Sequence, residues 1–181
     1  MNRVHHKTLI ESNIVHLKQI VAIIEDIDDR VYQNNDSPYF DSGIGKHLRH
    51  ILGFYDQYLS GWQDRIDYDA RHRDSRLEQD RNYGVRKTKM LIDQFTSLPQ
   101  DPDHFEKALY VKNDQHGPAD DPDQYTRSTV ERELQFLRFH TVHHFAIMSM
   151  ILKLQGIQPP KDFGYAPSTL EYLSAQAEKS S

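Results

Sequence analysis

The sequence predicts an all-α protein, a four-helix bundle with a small irregular or hairpin insertion between its third and fourth long helices. Apolar residues recur at steps of three and four over four long segments, which is the spacing of one face of an amphipathic helix. Polar segments rich in proline, asparagine or aspartate separate them. At 181 residues, the chain is close to the length of one domain, so we treat residues 1–181 as a single domain.

The first two helices are predicted over residues 3–32 and 43–62. The first follows an apolar face from Ile10 to Val31 and ends where the sequence NNDSP breaks the pattern. The second begins after Asp41 or Ser42, either of which is a suitable N-cap.

The third and fourth helices are separated by the insertion. Residues 67–74 are predicted to be a polar connection, followed by a third helix over residues 75–97 with the weakest periodicity of the four. The proline-rich residues 99–125 are predicted to be irregular, with a short strand within 105–112 that would give a hairpin or a long loop.

The fourth helix has the clearest predicted ends. The sequence STVE at 128–131 fits a capping box, and Gly156 followed by two prolines marks the C-terminal end. Residues 168–174 are predicted to add one short helix.

Composition excludes several kinds of function. The net charge is −5, the pI is about 6.1 and no run of Lys or Arg exceeds two residues, which argues against binding to nucleic acid or to an anionic membrane. The chain has no cysteine, which excludes disulfides, thiolate ligands and a cysteine nucleophile. Its apolar runs are too short for a signal peptide or a membrane span, so we expect a soluble, cytoplasmic protein. Eleven histidines against one tryptophan direct attention to histidine chemistry.

A pair of histidines on the fourth helix is the main candidate site. His140 and His144 lie within about 30° of the centre of the apolar stripe, whereas His143 lies about 70° from it. Imidazoles one helical turn apart can bind one metal ion, and polar rings within a core stripe are costly without partners. The second helix offers a further ligand in His47 or His50. Helical-wheel geometry places His47 closer to the apolar stripe, and the choice stays open on spacing alone.

Other polar residues have plainer interpretations. Glu131 and Glu133 are predicted to be capping or surface charges rather than ligands. The segment DYDAR at 67–71, with Arg73, could bind a substrate, but a charged turn that ties helix ends together is the favoured interpretation. The scattered histidines are expected to be solvated: His5, His6, His16, His72, His104 and His116.

Four sequence blocks together resemble the DinB/YfiT-like family. They are GKHLRHIL at 45–52, DYDAR at 67–71, HTVHHFA at 140–146 and FGYAPST at 163–169, in the expected order over nearly the whole chain. The resemblance implies a four-helix bundle with up-down-down-up topology that is often dimeric. It also implies a divalent metal, usually zinc or nickel, held by three histidines at one end of the bundle.

Carried over by position, the ligands implied by the resemblance are His50, His140 and His144. His50 precedes an apolar pair, as the family's second-helix ligand does, and His143 corresponds to an additional histidine that is not a ligand. No residue stands out as a general base. Asp56 or Asp69 would serve only if its side chain projected into the mouth of the site.

The resemblance implies a metal-dependent enzyme, either a thiol-dependent S-transferase or a hydrolase, that acts on a small molecule at an open coordination position. A thiol would have to arrive as a small molecule such as bacillithiol, mycothiol or glutathione, since the chain has no cysteine. The alternative is a non-catalytic bundle in which the metal is structural or absent and the dimer is an interaction module.

Overall fold

The computed structural model describes residues 2–35, 37–39, 41–112 and 124–179. These residues are mostly helical, and a small three-stranded sheet accompanies the helices. The helices are α1 Asn2–Asp26, α2 Asp29–Gln33, α3 Ile44–Gly61, α4 Arg76–Gln79, α5 Arg81–Thr96, α6 Pro102–Glu106, α7 Val130–Leu154 and α8 Pro167–Lys179. The strands are β1 Arg65–Asp67, β2 Ala108–Lys112 and β3 Thr126–Thr129.

The first and third predicted helices are each divided in two by an aspartate N-cap. Asp28 accepts a hydrogen bond from the backbone N–H of Val31 at 2.8 Å and starts α2. Asp80 does the same for the N–H of Tyr83 at 2.8 Å and starts α5. The single helices predicted over 3–32 and 75–97 are therefore wrong at these points, because a local cap interrupts the helix while the apolar spacing continues.

The second predicted helix is present as α3, but its predicted N-cap is wrong. Gly43 is the N-cap residue and has no side chain to offer, so neither Asp41 nor Ser42 caps the helix. The backbone N–H of Gly43 donates instead to Oδ1 of Asn35 at 2.8 Å, which ties the start of α3 to the end of the preceding loop.

The small sheet corrects the all-α prediction. β2 pairs with β1 in parallel and with β3 in antiparallel, so β2 is the central strand. The predicted strand within 105–112 is confirmed as β2, although its first residues belong to α6. β1 was not predicted, because three residues are too few to show an alternating pattern. Residues 113–123 of the predicted insertion lie outside the described residues.

The fourth predicted helix is α7. Thr129, rather than Ser128, is its N-cap and accepts from the N–H of Arg132 at 3.2 Å, so the capping box was placed one residue early. The predicted C-terminal end is confirmed, since Gly156 has a φ of +81° directly after the last turn. The predicted final short helix is present as the longer α8.

The four long helices pack around a shared apolar core. α1 contacts α5 and α7, and α3 contacts the same two helices. Buried residues of all four meet in one cluster, among them Leu17, Leu48, Leu91 and Phe145. Among the described residues, no helix combines the length and hydropathy needed to cross a membrane. The contact between α3 and α7 is the one that brings the candidate site together.

Candidate metal centre

Two facing helices supply the histidines of the candidate site. α3 carries His47 and His50, and α7 carries His140 and His144, each pair spaced by one helical turn. All four rings are part-buried where the two helices contact each other. The helical spacing therefore orients each pair, and helix packing brings the pairs together.

Three of these rings point their Nε2 atoms towards one another. Nε2 of His50 lies 3.1 Å from Nε2 of His140, which in turn lies 3.2 Å from Nε2 of His144. One ligand atom from each of the three residues lies within 4.8 Å of the others. Two nitrogens bound to one tetrahedral zinc ion at about 2.0–2.1 Å are separated by about 3.3–3.4 Å, so the observed spacing is close to that of a bound ion.

Hydrogen bonds alone cannot satisfy the ring nitrogens of these three histidines. A neutral imidazole nitrogen carries either one proton or one lone pair, yet Nε2 of His140 faces two other ring nitrogens at once. Nδ1 of His140 is buried and has no hydrogen-bond partner among the described residues. A cation would accept the lone pairs of all three Nε2 atoms together, which no arrangement of ring protons does.

The protonation of the rings also fits a cation site. Burial lowers the pKa of His50 to about 4, with Arg71 adding to the effect. Burial also lowers the pKa of His140 to about 3. Repulsion between the protonated forms of His140 and His50 is the next largest cause. The pKa of His144 is lowered as well, first by burial and then by His140. At neutral pH the three rings are therefore uncharged, which is the form that binds metals.

His47 contacts the group from outside. Its Nδ1 lies 3.0 Å from Nδ1 of His144, the ring nitrogen that does not face His140. His47 therefore reaches the back of the His144 ring and not the point where the three Nε2 atoms meet. His143 is exposed, and its ring centroid lies 5.2 Å from that of His144. The geometry groups His50 with the two α7 histidines, and their role as ligands stays a prediction.

Aromatic side chains enclose the inner side of the cluster. The ring of Phe54 lies 4.1 Å from that of His140 and 5.1 Å from that of His50, measured between centroids. Phe136 lies 5.6 Å from His140 on the same side. Phe136 was not predicted as a site residue from the sequence, although it lies one turn before His140 on α7, a position that could have identified it.

A cavity of about 300 Å³ borders the cluster at His50. Asp69, one of the two candidates for a general base, lines this cavity. Asp56 lines an adjoining cavity and forms an ion pair with Nζ of Lys87 at 2.7 Å. Of the two, only Asp69 shares a cavity with a histidine of the cluster.

Several residues outside the cluster differ from expectation. Glu133 is fully buried, with an exposed fraction of 0%, rather than a surface charge. It accepts from the hydroxyls of Tyr68 and Ser128 and from Arg132. The sequence pattern at the start of α7 did not show that Glu133 would be buried beneath the sheet. Glu131 lies in the first turn of α7 and accepts from Gln135 at 3.2 Å, in agreement with a role at the helix end.

Two of the histidines predicted to be solvated are buried. His16 is 8% exposed and His104 is 7% exposed, because each packs edge-on against an aromatic ring of the core. His72 is exposed, as predicted. The side chains of His5 and His6, and the whole of His116, lie outside the described part of the chain.

Comparison with known proteins assigns no family to this chain. No model of a known protein family matches the chain, and no solved structure matches it. A curated relative, FK506-binding protein 5 of the fungus Rhizopus delemar, is 30% identical over 115 residues. The match covers 61% of this chain and 28% of that relative. Sequence is thus shared with part of a longer protein, and the match assigns no activity to this chain.

Proposed function

We propose that this chain is a divalent-metal protein with a four-helix bundle of the DinB/YfiT-like type, and that His50, His140 and His144 hold the ion. The observation that supports this is the convergence of three uncharged Nε2 atoms from two helices, with neighbouring atoms 3.1 and 3.2 Å apart. Zinc or nickel suits a set of imidazole ligands.

The proposed activity is that of a metal-dependent enzyme, either a thiol-dependent S-transferase or a hydrolase. A divalent ion with three neutral ligands and an open position lowers the pKa of a bound water or thiol. Support comes from the number of protein donors, which is three among the described residues, and from the cavity beside His50. A purely structural site usually has four protein ligands and no access for a guest.

The protein's own residues have defined tasks in this proposal. The two helices hold the three rings in fixed positions, and His47 holds the His144 ring through its other nitrogen. Phe54 and Phe136 exclude water from the inner side of the cluster. The cavity between Arg49, Asp69 and Arg71 admits the substrate from the other side.

Two further parts of the proposal rest on the resemblance to the family. They are a homodimer and a small-molecule substrate that is used with a low-molecular-weight thiol if the enzyme is a transferase. The proposed cytoplasmic location rests instead on the short apolar runs of the sequence. Because the chain has no cysteine, that thiol is supplied by the second small molecule.

Metal analysis of the purified full chain tests the proposal. We expect about one equivalent of zinc or nickel in the unaltered protein and almost none in a His140→Ala, His144→Ala double variant. His143→Ala is the matched control, because His143 lies next to His144 on α7 but is exposed. Circular dichroism checks that all variants keep their helices. Equal metal content in the double variant and the control would rule out the ligand assignment.

A further inference from the structure

The cavity beside His50 has a strongly cationic lining. It lies between α3 and the segment that follows β1, and its volume is about 300 Å³. Three arginines and one aspartate line it, namely Arg49, Arg71, Arg73 and Asp69. Of the arginines, Arg49 is already ion-paired with Glu78 at 3.1 Å. The lining is thus suited to a guest that carries negative charge.

Arg71 is the arginine held closest to the histidine cluster. Its Cζ lies 4.0 Å from the centroid of the Phe54 ring, and that ring lies 4.1 Å from the ring of His140. Nη1 of Arg71 donates to the backbone oxygen of Tyr68. Its side chain also runs close to α3, since Cδ would lie 3.4 Å from a Cβ placed on Gly53. These contacts fix the guanidinium in position without a carboxylate.

The charge of Arg71 is only partly compensated. Arg71 forms no ion pair with a carboxylate among the described residues, although Asp69 and Asp67 are near enough to favour its charged form. Burial is the largest effect and lowers the pKa of Arg71, and repulsion from Arg73 and Arg49 acts in the same direction. A guanidinium has five N–H donors in a planar fork that matches a carboxylate or phosphate group.

We propose that Arg71, assisted by Arg73, binds a carboxylate or phosphate group of the substrate and places the rest of that molecule against His50. The substrate is therefore a small anion, and the anion site borders His50, one of the three proposed metal ligands. The assignment of the anion as a substrate rests on the proposed function. Binding of the anion by Arg71 does not require the metal.

Calorimetric titration of the full chain tests this with two probes, succinate and inorganic phosphate. We expect the unaltered protein to bind at least one of them, and the stronger probe tells a carboxylate from a phosphate site. Arg71→Gln should weaken that affinity by about tenfold or more, because charge-assisted hydrogen bonds are lost. Arg86→Gln is the matched control, since Arg86 is also an arginine over an aromatic ring but lies on the surface at Tyr83.

The outcomes separate this inference from the metal proposal. Each sample is titrated both as purified and after chelation, and its metal content is measured. Absence of binding by the unaltered protein, or equal affinity in Arg71→Gln, overturns the anion site whatever the metal content. If the metal assignment fails but anion binding still depends on Arg71, the result supports the anion site. If Arg71→Gln does not fold, Arg71→Met decides. Methionine keeps an unbranched side chain but carries no charge, and an unchanged affinity there also overturns the inference.

Discussion

Nδ1 of His47 lies 3.0 Å from Nδ1 of His144, so a ring on α3 contacts the back of a ring on α7. Nε2 of His144 faces His140 at the same time. His47 also has a backbone hydrogen bond with Ser42, which favours its own protonation against the effect of burial. If Nε2 of His144 binds the ion, Nδ1 of His144 carries the ring proton and donates to Nδ1 of His47, which holds the His144 ring in its orientation.

Replacing His47 by alanine should therefore weaken metal binding without removing a ligand. We expect an affinity loss of about 10- to 100-fold, the usual effect of removing a residue that hydrogen-bonds a ligand ring. Competition with a coloured chelator measures it. His143→Ala should bind metal as the unaltered protein does, and an unchanged affinity in His47→Ala would show that the contact has no such role.

Removal of the metal should lower the melting temperature. An ion that binds only the folded chain adds about 2.7 kcal/mol of stability when its free concentration is 100 times Kd. For a chain of this size, that corresponds to roughly 5–10 °C. Thermal melts with and without a chelator measure the shift, and the His140→Ala, His144→Ala variant should show none. A melting curve of the unaltered protein that does not respond to chelation would argue against tight binding.

The sequence predicted the long helices well, because each buries one continuous apolar face. The interruptions at Asp28 and Asp80 could not be predicted from that pattern, since apolar residues such as Ile27 and Val31 continue the spacing across the first break. The strand β1 was missed for a related reason: its three residues contain a single buried side chain, Ile66.

The candidate site was predictable on α7 and only partly on α3. The spacing of His140 and His144 on a core stripe is a local property that a sequence displays. Which α3 histidine meets them depends on how the two helices pack, and the helical wheel alone favoured His47 over His50. The role of Arg71 was also open, since only the fold places its guanidinium over Phe54.

The stability of the metal-free protein should fall as the pH falls below 6.5, in part because of His16. Burial lowers the pKa of this histidine to about 4, and Arg138 adds to the effect. Between pH 6.5 and about pH 4, the unfolded chain binds a proton at His16 and the folded chain does not. Protonation in this range therefore favours unfolding. The loss due to His16 is at most about 1.4 kcal/mol per pH unit.

Urea unfolding at pH 6.5, 5.5 and 4.5, with chelator present, measures this dependence. His16→Phe should lose less stability over the range than the unaltered protein, because phenylalanine does not titrate. His72→Phe is the matched control, since His72 is exposed. Parallel profiles for His16→Phe and the unaltered protein would mean that His16 does not contribute.

Glu133 should be the acidic residue whose loss destabilises the fold most clearly. Its carboxylate is fully buried, and it accepts from the hydroxyl of Tyr68 at 3.1 Å and from Nη1 of Arg132 at 3.0 Å. The hydroxyl of Ser128, on β3, donates to it at 2.5 Å, so this carboxylate joins α7 to the sheet. Glu133→Ala leaves the buried Tyr68 hydroxyl without its acceptor, and we expect the free energy of unfolding to fall by about 2–4 kcal/mol.

Chemical denaturation of three variants separates this network from a general effect of charge. Glu133→Gln keeps one acceptor oxygen and the shape of the side chain, so its loss should be smaller than that of Glu133→Ala. Glu25→Ala removes an exposed carboxylate whose ion pair with Lys89 spans 2.8 Å, and it should cost less than about 1 kcal/mol. If Glu133→Ala were no more destabilising than Glu25→Ala, the buried hydrogen bonds would not be what holds α7 to the sheet.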